Sequence, residues 1–268
     1  MLEILLDKFH FSSLWNGGIM LFSCFLLIIY FFMLPTEKGH VFWKKVSFVI
    51  GTIGMFLAIG SPLNIIARIA FRAHIMQIVV LFLIVAPLLV YGAKLQLLYK
   101  MGEQALIGSV FRFVSSPVFV IILFYLLLYA YHVPIIFDFA RMDMFLNYFY
   151  LLALFIAAIL LWIPLIHGRL SVKEKQRYAG LQALLMLPLG IWLLFSDSSL
   201  FTTYTDLSYF SQSLELCLPA GETLPSEYIV QLLPFSPIYE QHMGGGIWLG
   251  SELLVFSLVG ISFFAKKN

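Results

Sequence analysis

Seven stretches of the chain are apolar for long enough to cross a bilayer, and this limits the fold more than any local motif does. A span of roughly 30 Å of hydrocarbon takes about 17 to 25 residues as a helix. Runs of this kind lie at approximately Asn16–Leu34, Val46–Ser61, Ile75–Tyr91, Pro117–His132, Met144–Ile166, Leu181–Phe195 and Gly245–Phe264, the second and sixth being the shortest. The expected architecture is all-α: a polytopic membrane protein built as a seven-transmembrane helix bundle, with residues 1–268 as one domain. Composition agrees, since 62% of the residues are hydrophobic and only 11% are charged, far from the balance of a soluble domain. The first ten residues lack the basic region and small-residue cleavage site of a signal peptide, so the first run is expected to remain as a membrane helix.

Lysine and arginine set the expected orientation, because cytoplasmic loops retain them. With the amino terminus outside, the inner segments hold Lys38, Lys44, Lys45, Lys94, Lys100, Arg112, Arg169, Lys173, Lys175, Arg177, Lys266 and Lys267, twelve of the sixteen. Lys8, Arg68, Arg72 and Arg141 remain outside. The long sixth connection carries no lysine or arginine, but has Asp197, Asp206, Glu215, Glu222, Glu227 and Glu240. The amino terminus is therefore expected outside and the carboxyl terminus in the cytoplasm.

Small residues at Gly51, Gly54, Ala58 and Gly60 give the second helix a face for close packing. Pro87 and Pro188 fall inside the third and sixth helices and predict kinks. The connection at about 196–244 mixes aromatics, acids and prolines (Pro219, Pro225, Pro234, Pro237) and is expected to lie over the outer face, functional or carrying short helices of its own. Cys24 and Cys217 are too far apart in this topology to pair; Cys24 reads as a small core residue.

The topology sorts the six histidines. His74 begins the third helix, His132 ends the fourth, His242 precedes the seventh and His10 precedes the first, so all four fall outside. His40 and His167 sit among cytoplasmic basic residues and read as ordinary interfacial groups. His74, His132 and His242, with Met76 and Met243, supply imidazole and thioether ligands at one membrane face, a set suited to Cu(I). Gln77, Asp138 and Glu240 are close enough in sequence to orient the rings. Against this, interfacial histidines commonly meet headgroups or water and methionines fill cores. No local chelate exists either, since Ile78 stands one turn after His74. Glu252, a carboxylate within the last helix, reads either as facing the outer pocket near His242 or as aiding proton release when metal binds.

The stretch "SPLNIIARIAFRAHIMQIVVLFLIVAPLLVYGAK" resembles the second-to-third helix region of the CtaG family of cytochrome c oxidase assembly factors, bacterial seven-helix membrane proteins associated with caa-type oxidase. "YHVPIIFDFA", "LLWIPLIHG" and "YEQHMGGGIW" resemble, in order, further segments of that family, so that the likeness covers nearly the whole chain. The resemblance carries His74 and Gln77 from an H-x-x-Q-H pattern, then His132, Pro134 and Asp138, then Gln241, Gly244 and Gly245. This chain departs from the pattern at Ile78, which replaces a histidine, and in lacking a histidine in the fifth helix, while His242 stands where the family usually has glutamine. The resemblance implies a multi-pass protein of the bacterial cell membrane that works with cytochrome c oxidase subunits and assists copper insertion, without turnover chemistry of its own.

Other readings compete. A retinal receptor needs a lysine in the bundle, and none falls in the predicted helices. A small-molecule transporter gains from the interrupted helices, though little polar lies at mid-membrane beyond Glu252, Asn147 and Gln182. A zinc protease needs H-E-x-x-H, which is absent. Haem ligation by His74 and His132 and a metal-free scaffold for oxidase subunits both remain open. The lipid bilayer is the expected surroundings and a nucleic acid is not an expected partner; homo-oligomerisation is left open.

Overall fold

The computed structural model describes residues 9–35, 39–94, 110, 113–114, 116–168, 170–218, 221–223, 225–232 and 236–265. Among the described residues the chain is helical and no strand occurs. We number the helices α1 (Gly17–Met33), α2 (Phe42–Gly60), α3 (Leu63–Ile69), α4 (Phe71–Gly92), α5 (Pro117–His132), α6 (Pro134–Met142), α7 (Met144–Ile166), α8 (Val172–Phe195), α9 (Leu207–Glu215), α10 (Ser226–Leu232) and α11 (Pro237–Ala265).

Five of them, α2, α4, α7, α8 and α11, are long and apolar enough to cross a membrane. A sixth crossing is obtained if α5 and α6, which meet at a bend of 78°, form one broken span. Among the described residues the count by length and composition is thus five to six, beside seven apolar runs. α1, which ends in a π-turn over Ile29–Met33, is a shorter apolar helix. The fourth run stops at His132 because Val133 precedes Pro134 and takes an extended conformation (φ −62°, ψ 124°), which the proline ring favours over the helical one. Lys8, Lys38, Lys100, Arg112, Arg169, Lys266 and Lys267, which enter the expected orientation, lie outside the described residues, as do Pro219 and Pro234.

Helix ends reach past the apolar runs wherever polar residues can be carried at a boundary. α8 starts nine residues before its run because Ser171 and Glu174 form a reciprocal cap, with Ser171 N–H donating to Glu174 Oε2 at 2.7 Å. α2 takes Lys44 and Lys45 into its first turn, where long apolar stems can lie along the helix while the ammonium reaches out. Immediately before Pro87, where a kink is expected, lies a π segment, Val80–Val85. There Trp162 Nε1 donates to the Phe82 carbonyl at 2.7 Å, supplying a partner from α7. Pro188 lies within α8, which continues through it, and a further proline, Pro164, lies inside α7.

The small residues of α2 do provide a packing face. A methyl group on Gly51 would meet Leu89 at 2.9 Å and one on Gly54 would meet Val85 at 2.9 Å, so α2 and α4 approach closely there. The connection at 196–244 is folded: a 3₁₀ turn at Thr202–Tyr204, then α9 and α10, with α11 already begun at Pro237. Phe210, Leu214, Ile229 and Leu232 of this segment form a small second core with Phe9, Leu14, Ile65 and Ile69. Two sequence expectations are corrected: Cys24 faces outward rather than into the core, and His40 is buried, with Tyr30 Oη 2.7 Å from its Nε2.

Candidate functional site

The chain breaks at Ala70 (φ −119°, ψ 123°) between α3 and α4, which places His74 in the first turn of α4, directed inward. His132 is the last residue of α5, and the turn at Val133–Pro134 folds α6 back across that end, bringing Phe137 over both imidazoles. The ring centroids of His74 and His132 lie 6.0 Å apart with planes inclined by 40°. Phe71, Tyr131 and Phe137 complete an aromatic wall, their centroids 6.0, 5.7 and 5.3 Å from that of His74. Both histidines are fully buried.

The hydrogen bonding of this pair is incomplete. His132 Nδ1 lies 2.8 Å from the Leu128 carbonyl, which can only accept; Nδ1 therefore carries the proton and a neutral ring turns the lone pair of Nε2 inward. That Nε2 has no partner, whereas the Gln77 side chain lies within hydrogen-bonding reach of the His74 ring. Gln77 donates through Nε2 to the Ala58 carbonyl at 2.8 Å and to Asn64 Oδ1 at 3.1 Å, which leaves its Oε1 for the His74 ring. Buried polar atoms are almost always paired, so the inward lone pair of His132 Nε2 stands out within this aromatic enclosure.

Two buried arginines brace the enclosure. Arg68 of α3 donates through Nη1 to the carbonyls of Arg141 and Ser213, both at 3.0 Å. Arg141 of α6 donates through Nη2 to the Ala67 carbonyl and to Tyr204 Oη, and its guanidinium lies 5.3 Å from the Phe137 centroid. α3, α6, α9 and the 3₁₀ turn are thereby tied together above the histidines. Neither arginine is ion-paired among the described residues. Burial pulls the Arg68 guanidinium below its ordinary pKa, Cys217 works against that, and Arg141 adds to it. Burial likewise pushes the Tyr204 phenol up, with Arg141 opposing.

The remaining expected residues disperse. His242 Nε2 lies 2.9 Å from the Ser196 carbonyl, tying the end of α8 to α11, and its ring does not meet those of His74 or His132. Met76 and Met243 are 47% and 38% exposed and point away from the bundle interior. Asp138 accepts from Thr202 N–H and Thr203 N–H at 2.9 Å each and from Thr203 Oγ1 at 2.8 Å, so it holds the 3₁₀ turn and not a ring nitrogen. Glu240 pairs with Arg72, Oε1 to Nε at 3.4 Å. Glu252 is buried deeper in α11. Ile78 is fully buried in the core. No group of three or more His, Cys, Asp or Glu side chains placed to hold a metal ion occurs among the described residues.

Sequence reasoning finds His74, His132 and Gln77 but counts Arg68 and Arg141 only as external charge. The available signal is their setting in -Ala67-Arg68- and -Ala140-Arg141-, where small neighbours leave room for a guanidinium to turn inward. No curated protein and no solved structure matches the chain in a similarity search. A family model described as cytochrome c oxidase caa3 assembly factor matches residues 27–266, nearly the full length and including every residue of the enclosure. The chain belongs to the cytochrome c oxidase caa3 assembly factor (CtaG) family.

Proposed function

We propose that the protein is a multi-pass component of the bacterial cell membrane that holds Cu(I) between His74 and His132 at the extracytoplasmic face and passes it to cytochrome c oxidase subunits during assembly. The observation that carries this reading is the buried imidazole pair, 6.0 Å between centroids, with the inward His132 Nε2 lacking any partner. With metal–nitrogen bonds of about 2 Å, two imidazoles on opposite sides of one ion have their ring centres about 6 Å apart. Cuprous ion accepts so few ligands of this type. Gln77 Oε1 is the further acceptor within the enclosure. A two-imidazole site holds copper weakly enough to surrender it to a partner with more ligands, and the role is one of carriage without turnover. His242, Met76 and Met243 have no part in the site, and Asp138 acts by holding the turn that covers it.

Cu(I) loading of the purified protein, followed by metal analysis, tests this. Copper is expected to be retained in stoichiometric amount by the parent and by His242→Ala, and lost in His74→Ala and His132→Ala. Equal copper in all four proteins overturns the site.

A metal-free scaffold for oxidase subunits is the second reading. It is favoured by Ile78, an apolar core residue where the resembled pattern has a second histidine, and by the dispersal of the methionines. A parent protein that binds no copper yet is needed for oxidase assembly would establish it.

A further inference from the structure

A second set of unpartnered polar atoms lies deeper in the bundle, on the seam between α8 and α11. These helices run antiparallel in close contact: Trp248 Nε1 donates to the Met186 carbonyl at 3.0 Å, and a methyl group on Gly245 would meet Leu194 N at 2.7 Å and the Gly190 carbonyl at 2.9 Å. Tyr125 of α5, which is bonded to Gln182, lies within electrostatic reach of Glu252. Glu252 and Gln182 are both fully buried. Tyr125 of α5 donates its hydroxyl to the Gln182 carbonyl at 2.9 Å and to Gln182 Oε1 at 2.8 Å. The other half of the amide, Nε2, has no acceptor, and neither carboxyl oxygen of Glu252 has a donor.

Glu252 makes no ion pair among the described residues, and the titratable groups that interact with its charge are phenols, Tyr125 and Tyr129 of α5. On α8 the groups near this level are Gln182 and Tyr178, whose hydroxyl donates to the Leu161 carbonyl at 2.9 Å. α4 has no ionisable side chain between Gln77 and Val90, and α7 has none from residue 151 to 166. On α11 itself the nearest titratable residues are His242 and Glu240, more than two turns away. An ionised carboxylate in such surroundings is far more costly to bury than the acid.

We propose that Glu252 is a membrane-embedded proton-binding site, a neutral carboxylic acid in the closed bundle that faces Gln182 and releases its proton when the α8–α11 seam admits water. On release the O–H bond breaks, the proton leaves to water, and the electron pair stays on the carboxylate. On rebinding the acid regains a dry setting, with Gln182 Nε2 the unpartnered amide donor that its carbonyl oxygen can meet. The site stands apart from the imidazole pair and does not depend on copper.

Infrared difference spectra of the full chain in lipid vesicles, taken between acid and alkaline buffers, test this directly. The carbonyl stretch of a protonated carboxylic acid in apolar surroundings is expected in the parent at neutral pH, to fade as pH rises, and to be missing from Glu252→Gln. Because Gln has the shape of the neutral acid, that variant is expected to melt at the parent's temperature. A spectrum unchanged in Glu252→Gln, or a parent that shows Glu252 only as carboxylate at neutral pH, overturns the proposal. Should Glu252→Gln fail to fold, Gln182→Leu supplies the second reading: loss of the amide is expected to move the acid band, and an unmoved band overturns the site.

Discussion

Asp138 lies six residues after His132, and that spacing points to a carboxylate orienting an imidazole; the side chain instead accepts three hydrogen bonds from Thr202 and Thr203. Asp138→Ala leaves two backbone N–H groups of the 3₁₀ turn without their partner, at a cost of about 3 kcal/mol. Thermal unfolding in detergent and protease cleavage within 196–244 are expected to show it, with Asp138→Asn intermediate; parent-like behaviour of the alanine variant would exclude the anchoring role. Cys217 gives a pH prediction. Burial raises its thiol pKa while Arg68 and Arg141 oppose, so the thiolate is scarce at neutral pH. Labelling of Cys217 by a water-soluble maleimide in a Cys24→Ser background is therefore expected to be slow at neutral pH and to accelerate as pH rises; fast labelling at neutral pH would show an open thiol. The same scale explains what the sequence conceals. Helix ends place His74 and His132 on one surface, and that much is legible. Side-chain direction is a finer matter: at about 100° of rotation per residue, Met76 lies nearly opposite His74 on α4, and an inward histidine sends that methionine outward.

At the scale of elements, glycine marks where helices touch, and its neighbours along the chain are not equivalent. Gly245 faces the α8 backbone, where a methyl group would lie 2.7 Å from Leu194 N, whereas a methyl group on Gly246 would have nothing within 4 Å. Gly245→Ala is expected to force α8 and α11 apart at about 2 kcal/mol, and Gly246→Ala to be neutral or slightly stabilising through better helix propensity. Melting of the two variants side by side checks this, and equal melting would refute the seam. Apolar runs find α7 to the residue, because both of its ends coincide with changes of polarity at Asp143 and His167. They miss the starts of α8 and α11, since a capping box and a polar first turn extend a helix without adding hydrophobicity. They also miss the reversal at Val133–Pro134, because hydropathy does not register a break in helix direction.

For the whole molecule, the folded 196–244 segment decides which face the enclosure serves. Its 3₁₀ turn is held by Asp138 and Arg141, its α9 by the Arg68 bond to Ser213, and its aromatics Phe201 and Tyr204 pack on Phe71 and Phe137 around the histidines. The histidine pair and this segment therefore lie on the same side of the bundle, whichever side that is. The proposed reading puts this side outside, since the segment has no lysine or arginine. A reporter active only after export, fused within 221–223, is expected to be active, and one fused at Gly168, between α7 and α8, inactive. The reverse pattern would place the imidazole pair on the cytoplasmic side. Copper carriage to an external oxidase site would then be untenable, while the Glu252 site, set in the seam between two long helices, would stand under either orientation.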